Sequence, residues 1–246
     1  MIRYAVLLAL AALAACEGTD PAAERAAREE AAAAAQSASL EAEPAAEAED
    51  VPDSAEWVLN THYLRLSPTQ PTSSSPNEVE VAEVFWYGCP HCNRFEPYLE
   101  RWQASKPSYV SFVRIPAVWN PLLQLHARAF YTAKELGKLE EMHAAFFREI
   151  HENHNPLDTE ERLAEFFGRF GVDRAAFEQA FDSYEVHQGL QRAEELNRRY
   201  RIQSVPSVVV NGKYTSNATM AGDYDRLLAL VDFLAESEHT PEKQDE

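Results

Sequence analysis

The chain has 246 residues, 46% of them hydrophobic and 11% aromatic, enough for one sizeable domain or two small ones around a packed core. Its formal charge of −18 excludes the basic footprint that a nucleic-acid partner demands. Much of the acidity is local, because between Glu17 and Glu56 the acids far outnumber the bases Arg25 and Arg28, so it says little about substrates.

The N-terminus "MIRYAVLLALAALAAC" sets the basic Arg3 before an apolar run from Tyr4 to Ala15. That run is too short for an ordinary transmembrane helix and ends in small residues, so it reads as an export signal. Leu13-Ala14-Ala15-Cys16 resembles the bacterial lipobox, which implies that Cys16 is lipidated and becomes the mature N-terminus. The other reading is a plain signal cleaved near Ala15, with Cys16 incidental. Glu17 after the cysteine resembles an outer-membrane rather than an inner-membrane address. From Thr19 to about Asp53 the chain is Ala, Glu and Pro with almost no large apolar residue, which predicts a tether. No leucine or isoleucine heptad supports a coiled coil there.

Folded structure is expected from Trp57. "HYLRLS" (His62–Ser67) alternates weakly as a first strand, and "PTQPTSSSPN" is a loop by composition. In "VEVAEVFWY" Val79, Val81, Glu83, Phe85 and Tyr87 share one strand face and Glu80, Ala82, Val84 and Trp86 the other. Pro90 suits the first turn of a helix running to about Ser105, with a kink expected at Pro97. Tyr109–Trp119 reads as another strand. Apolar residues at three- and four-residue spacing predict helices throughout Pro121–Arg199. "VPSVVVNGKYTS" is a hairpin turning at Asn211-Gly212, and "DYDRLLALVDFLAES" a closing amphipathic helix. The order predicts an α/β sheet interrupted by a helical insert.

Three cysteines are present, and lipidation of Cys16 leaves Cys89 and Cys92 in "EVFWYGCPHCNRFEPYLE". A crosslink stabilises by removing loop entropy, and a bridge across two residues removes little, so a structural staple is excluded. A structural zinc site needs four ligands, and His143, His151 and His154 complete one only by accident of folding. His151 and His154 read as a solvated helix end. No metal or cofactor is expected. Cys89 at a helix N-terminus is different: unpaired N–H groups and the dipole favour its thiolate, and His91 adds to that if protonated or donating. Stabilising the thiolate stabilises the reduced form and makes the pair a stronger oxidant. Cys92, one turn in, is expected to be covered and to pair with Cys89 as a redox disulfide. Glu83 lies on an otherwise apolar strand face, where a carboxylate costs energy unless neutral or paired. It is either an edge-facing solvated acid or a buried one.

"FWYGCPHC" opening a helix, with "SVPSVVVNGKY" more than a hundred residues later, resembles the DsbA family of periplasmic thiol:disulfide oxidoreductases over roughly Trp57 to Glu236. The resemblance implies a thioredoxin fold with an inserted helical domain. The expected layout is a signal at 1–15, tether at 16–56, thioredoxin-like domain at 57–120 and 200–238, helical insert at 121–199 and tail at 239–246. It implies catalytic roles for Cys89, Pro90, His91 and Cys92, with Glu83 a buried proton acceptor near Cys92. Relatives often pair that acid with a lysine on the next strand; here Lys106 and Arg114 are the nearest bases and neither is a clear match. Glu96 also matches the family, or is a surface residue. Val205-Pro206 is implied to be cis and, beside the cysteines, to leave its backbone free for extended substrates by strand addition. "NAT" at Asn217 resembles a glycosylation acceptor and is set aside beside a bacterial lipobox. The function implied is a dithiol oxidase of newly exported proteins, reoxidised by a DsbB-type membrane quinone reductase and acting as a monomer in the periplasm. A reductase or isomerase is the rival enzyme; a peptide-binding module with a vestigial redox pair is the rival of another class.

Overall fold

A computed structural model describes residues 54–239. The export signal, Cys16, the tether up to Asp53 and the tail from Thr240 lie outside the described residues. Five strands form one sheet in the order β1-β5-β4-β2-β3, with β1 Leu64–Arg65, β2 Val79–Phe85, β3 Val110–Pro116, β4 Ser207–Val210 and β5 Tyr214–Ser216. β2 runs parallel to β3 and antiparallel to β4, so it is enclosed by a strand on either side. Helix α1 (Pro90–Ser105) links β2 to β3. Five helices fill the interval between β3 and β4: α2 Pro121–Glu135, α3 Leu139–His151, α4 Glu160–Gly168, α5 Arg174–Phe181 and α6 Tyr184–Arg199. After the hairpin come a short α7 (Ala218–Ala221) and α8 (Tyr224–Glu238).

β2 is buried along its whole length because both faces are covered. Val79 and Val81 pack with Phe95 and Leu99 of α1 and Leu227, Val231 and Leu234 of α8. Ala82 and Val84 pack on the opposite face with Leu123 and Ala127 of α2 and Leu196 of α6. The far end of the strand, Phe85 and Tyr87, enters a third cluster with Phe130, Phe146 and Phe147 of the helical insert, and Cys89 and Cys92 belong to it. The sheet therefore ends, and α1 begins, against the insert. Two acids are buried with β2 as a consequence. Glu80 is satisfied locally: Ser73 N and Ser73 Oγ donate to its Oε2 at 2.7 and 2.5 Å. Glu83 has no such loop.

Boundaries differ from sequence expectation where proline removes a donor. The first strand shrinks to two residues because the chain leaves its neighbour at Ser67-Pro68, Pro68 having no N–H for the ladder. β3 ends at Pro116, and Ala117 N turns back to the Phe85 carbonyl at 2.8 Å. Helix α1, by contrast, runs on past Pro97 to Ser105. The unexpected α7 follows from Asn217, whose side chain accepts from Thr219 N and Met220 N.

The hairpin turns where expected, with Asn211 at φ 51° and Gly212 at φ 62°. A Cβ on Gly212 would lie 2.0 Å from the Gln70 carbonyl oxygen, a backbone atom that cannot swing away. Gly212→Ala is therefore expected to destabilise the protein by more than about 1 kcal/mol, from positive φ and the clash together. Urea denaturation checks this; an unchanged midpoint contradicts it.

Candidate active site

Cys89 is the N-cap of α1, with extended backbone (φ −85°, ψ 118°), and Pro90 occupies the first helical turn, where a missing N–H costs nothing. Cys89 and Cys92 are separate thiols, both buried. The Cys89 sulfur accepts from Cys92 N at 3.4 Å and lies 3.5 Å from the Val205 carbonyl oxygen, to which its S–H donates. The Val205–Pro206 bond is cis, so the loop before β4 meets the tip of α1 at the reactive sulfur. The Cys92 thiol, then the backbone N–H groups of Cys92 and His91, bring the Cys89 thiol down to about 6 against the opposing effect of burial. Cys92, fully covered, is pushed strongly up by burial, by its hydrogen bond to Cys89 and by the Glu83 charge. Adjacent sulfurs are thus driven apart, one toward thiolate and one toward thiol.

His91 is exposed, and Arg94 Nη2 donates to its Nδ1 at 2.9 Å, so that nitrogen acts as an acceptor. The Tyr224 hydroxyl of α8 donates to the His91 carbonyl at 3.0 Å, and the Tyr224 ring stacks on Phe95. The first turn of the helix is therefore held from outside as well as below.

Behind the cysteines lies a buried charge cluster. Glu83 is fully buried and opposes Arg114 directly in the β2–β3 register. Arg114 Nε approaches Glu83 Oε2 to 3.4 Å, a charge contact without hydrogen-bond geometry: neither Glu83 oxygen has a hydrogen-bond partner among the described residues. Arg114 Nη2 donates to Glu96 Oε2 at 3.1 Å, and His143 Nε2 reaches Glu96 Oε1 at 3.2 Å. Burial, then the Glu96 charge, hold the Glu83 carboxyl well above the ordinary range despite Arg114. Burial also pushes Glu96 up, but its hydrogen bond from His143 and the Arg114 charge outweigh it, so Glu96 sits below the ordinary range. Burial thus favours the protonated form of Glu83 and the donors favour the charged form of Glu96, around a single guanidinium.

Histidines of the helical insert hold the segment that leads into the cysteines. Trp86 Nε1 donates to His126 Nδ1 at 3.0 Å, the Tyr87 hydroxyl meets His143 Nδ1 at 2.9 Å, and His151 Nε2 donates to the Tyr87 carbonyl at 2.8 Å. Of His151 and His154 the second is exposed, so the expectation of a solvated helix end is corrected for His151, which is half-buried against residue 87. Lys106 is spent elsewhere, on the Val110 carbonyl. No group of three or more metal-ligating side chains exists among the described residues.

Residues 110–235, from the start of β3 into α8, match the family model described as a DSBA-like thioredoxin domain. The thiol:disulfide interchange protein DsbA of Pseudomonas aeruginosa is 36% identical over 189 residues, 77% of this chain and 89% of that one. The protein of the same name from Azotobacter vinelandii is 38% identical over 182 residues, 74% and 85% of the two chains. The chain belongs to the DsbA family. Its fold agrees: the crystal structure of Pseudomonas aeruginosa DsbA superposes with TM-score 0.70 at 37% identity, covering 74% of this chain and 94% of that one. The oxidoreductase DsbA from Xylella fastidiosa gives 0.70 at 30% identity, covering 74% and 98%. The fold is thus a DsbA-like thioredoxin fold with a helical insert, and the chain is a thiol:disulfide oxidoreductase. The family model begins after Cys92, so the Cys-Pro-His-Cys site is carried by the longer alignments and by its own geometry.

Proposed function

We propose that this DsbA-family protein is a dithiol oxidase, which passes a Cys89–Cys92 disulfide to newly exported proteins in the periplasm. The observation that supports this direction of electron flow is the Cys89 sulfur at the helix N-terminus, its thiol brought down to about 6. A substrate thiolate attacks Cys89 Sγ, the S–S bond breaks, and Cys92 leaves with the electron pair and takes a proton from Glu83. A second substrate thiolate then attacks the substrate sulfur of the mixed disulfide. Cys89 leaves as the thiolate that Pro90, the first-turn N–H groups and His91 are placed to stabilise. Two electrons have then passed from the substrate to the cysteine pair, and a DsbB-type membrane quinone reductase removes them. Val205 and Pro206 supply an extended edge on which a substrate strand lies.

The same reading assigns residues 57–120 and 200–238 to the redox domain and 121–199 to the insert. Residues 1–15 are a lipoprotein signal, Cys16 carries the lipid, and 16–56 tether a monomer to a membrane, the outer one by the Glu17 rule. No helix among the described residues is long and apolar enough to cross a membrane.

Equilibration with glutathione tests the direction. The thioredoxin nucleophile has a pKa near 7 and its disulfide a potential of about −270 mV. A thiol about one unit lower makes this pair more oxidising by at least about 30 mV. A measured potential at or below that of thioredoxin sinks the oxidase reading.

A further inference from the structure

Two buried carboxylates beside one guanidinium cannot both be charged without leaving a net negative charge in the core, so one of them holds a proton. Which one is decided by the donors each oxygen meets. Glu96 accepts from Arg114 Nη2 at 3.1 Å and faces His143 Nε2 at 3.2 Å, while Glu83 has only the 3.4 Å contact to Arg114 Nε. We propose that His143 is a positioning residue that keeps Glu96 charged, and so leaves Glu83 as the carboxyl of the pair that carries the exchangeable proton for Cys92.

His143 is built for that. Its ring is buried in an aromatic cage, with Phe85 at 5.3 Å, Phe147 at 5.5 Å and Phe130 at 6.5 Å between centroids. The Tyr87 hydroxyl meets Nδ1 at 2.9 Å. With Tyr87 donating to Nδ1, the proton of the neutral ring stands on Nε2 and points at Glu96 Oε1. Burial disfavours the charged ring, and the geometry asks of His143 only that Nε2 donate to Glu96 Oε1. The groups facing the cluster come from every element around it: Tyr87 beyond β2, Cys89, Cys92 and Glu96 from α1, Arg114 from β3 and Glu140 from α3 itself. Of these groups Arg114 bonds Glu96 Oε2, and His143 alone meets Oε1. The arrangement places the charge on the acid bonded to the insert and the proton on the acid that bears on Cys92.

The inference rests on the oxidase reading only for the direction in which the proton moves, and the two fail separately, one by potential and one by pH profile. The test measures the rate at which the oxidised full-length protein forms a mixed disulfide with a small cysteine-containing peptide, across a range of pH. The rate falls as Glu83 loses its proton. In His143→Phe, which refills the aromatic cage without a donor, Glu96 takes a share of the proton and its charge no longer raises Glu83. The midpoint then moves to lower pH by at least about half a unit. His143→Gln, which keeps a donor but cannot titrate, restores the wild-type midpoint, while the Cys89 thiolate absorbance titration stays unmoved in both. Should His143→Phe fail to fold, Tyr87→Phe, which removes only the hydroxyl that holds the ring, must move the midpoint the same way. An unmoved midpoint in folded His143→Phe or Tyr87→Phe overturns the proposal. So does a loss of rate equal at every pH, which is what a purely structural histidine gives.

Discussion

The stability of the reduced protein relative to the oxidised one is expected to trace a dome with pH. It rises between about pH 6 and 8.5 and falls above that. Cys89 has its folded-state pKa depressed to about 6, against about 8.5 in an unfolded chain. Between those values the unfolded thiol holds a proton that the folded thiolate has lost, so stability rises by about 1.4 kcal/mol per pH unit. The contribution is fully present above the unfolded value and is lost as pH falls through 6, a total of about 3 kcal/mol. Cys92 has the opposite sign. Its folded pKa is raised far above the unfolded one, so above about pH 8.5 the unfolded chain releases a proton that the folded protein keeps, and stability declines. The oxidised form has neither thiol, and to first order other titrations cancel in the difference. Urea denaturation of both forms at a series of pH values measures it. Cys89→Ser, which has no oxidised form, should show no such rise in its own stability between pH 6 and 8.5 relative to the reduced wild type, and a flat wild-type difference between pH 6 and 8 contradicts the proposed driving force.

That dome links sequence-local chemistry to energetics, and the local part was legible from residues alone. Cys89 as a cap, Pro90 in the first turn and the Asn211-Gly212 turn are set by neighbours a few positions away, so their consequences can be read without a fold. The Arg94–His91 bond is local in the same way, since residues three apart share a helix face. The acid cluster was of another kind. Glu83 stood out as a carboxylate on an apolar face, yet its partner lies 31 positions on, and only the β2–β3 register sets Arg114 opposite it. The family's lysine is replaced by a guanidinium, whose several donors let Arg114 serve two carboxylates at once. His143 and His151 lie on an amphipathic helix whose buried side is fixed by packing against residues 85–87, and no spacing rule reports that.

The buried cluster makes Arg114 the most consequential charge in the fold. Exposed pairs such as Arg162–Asp158, at 2.6 Å with both side chains more than 40% exposed, are worth about 0.2–1 kcal/mol. Arg114 is different, because its side chain is 15% exposed and its two partners are 0% and 8% exposed. Arg114→Met keeps most of the stem and removes the charge, so two buried carboxyls remain without a cation. The expected cost at pH 7 is about 3–5 kcal/mol. The pH dependence identifies the cause. Without Arg114 both folded-state pKa values lie above the unfolded value of about 4.3, so the cost is present above that value and fades as acid protonates both groups. A cavity or a packing fault persists at low pH, whereas this loss should shrink toward zero near pH 4. Adding Glu96→Gln, which removes the charge that Arg114 had paired, should restore most of the stability at pH 7. Adding Glu83→Gln, which mimics an acid already protonated, should restore little of it while slowing the step in which Cys92 takes its proton. The two double variants thus separate the charge that costs the fold, on Glu96, from the proton that serves the chemistry, on Glu83: stability returns with the first and the rate falls with the second.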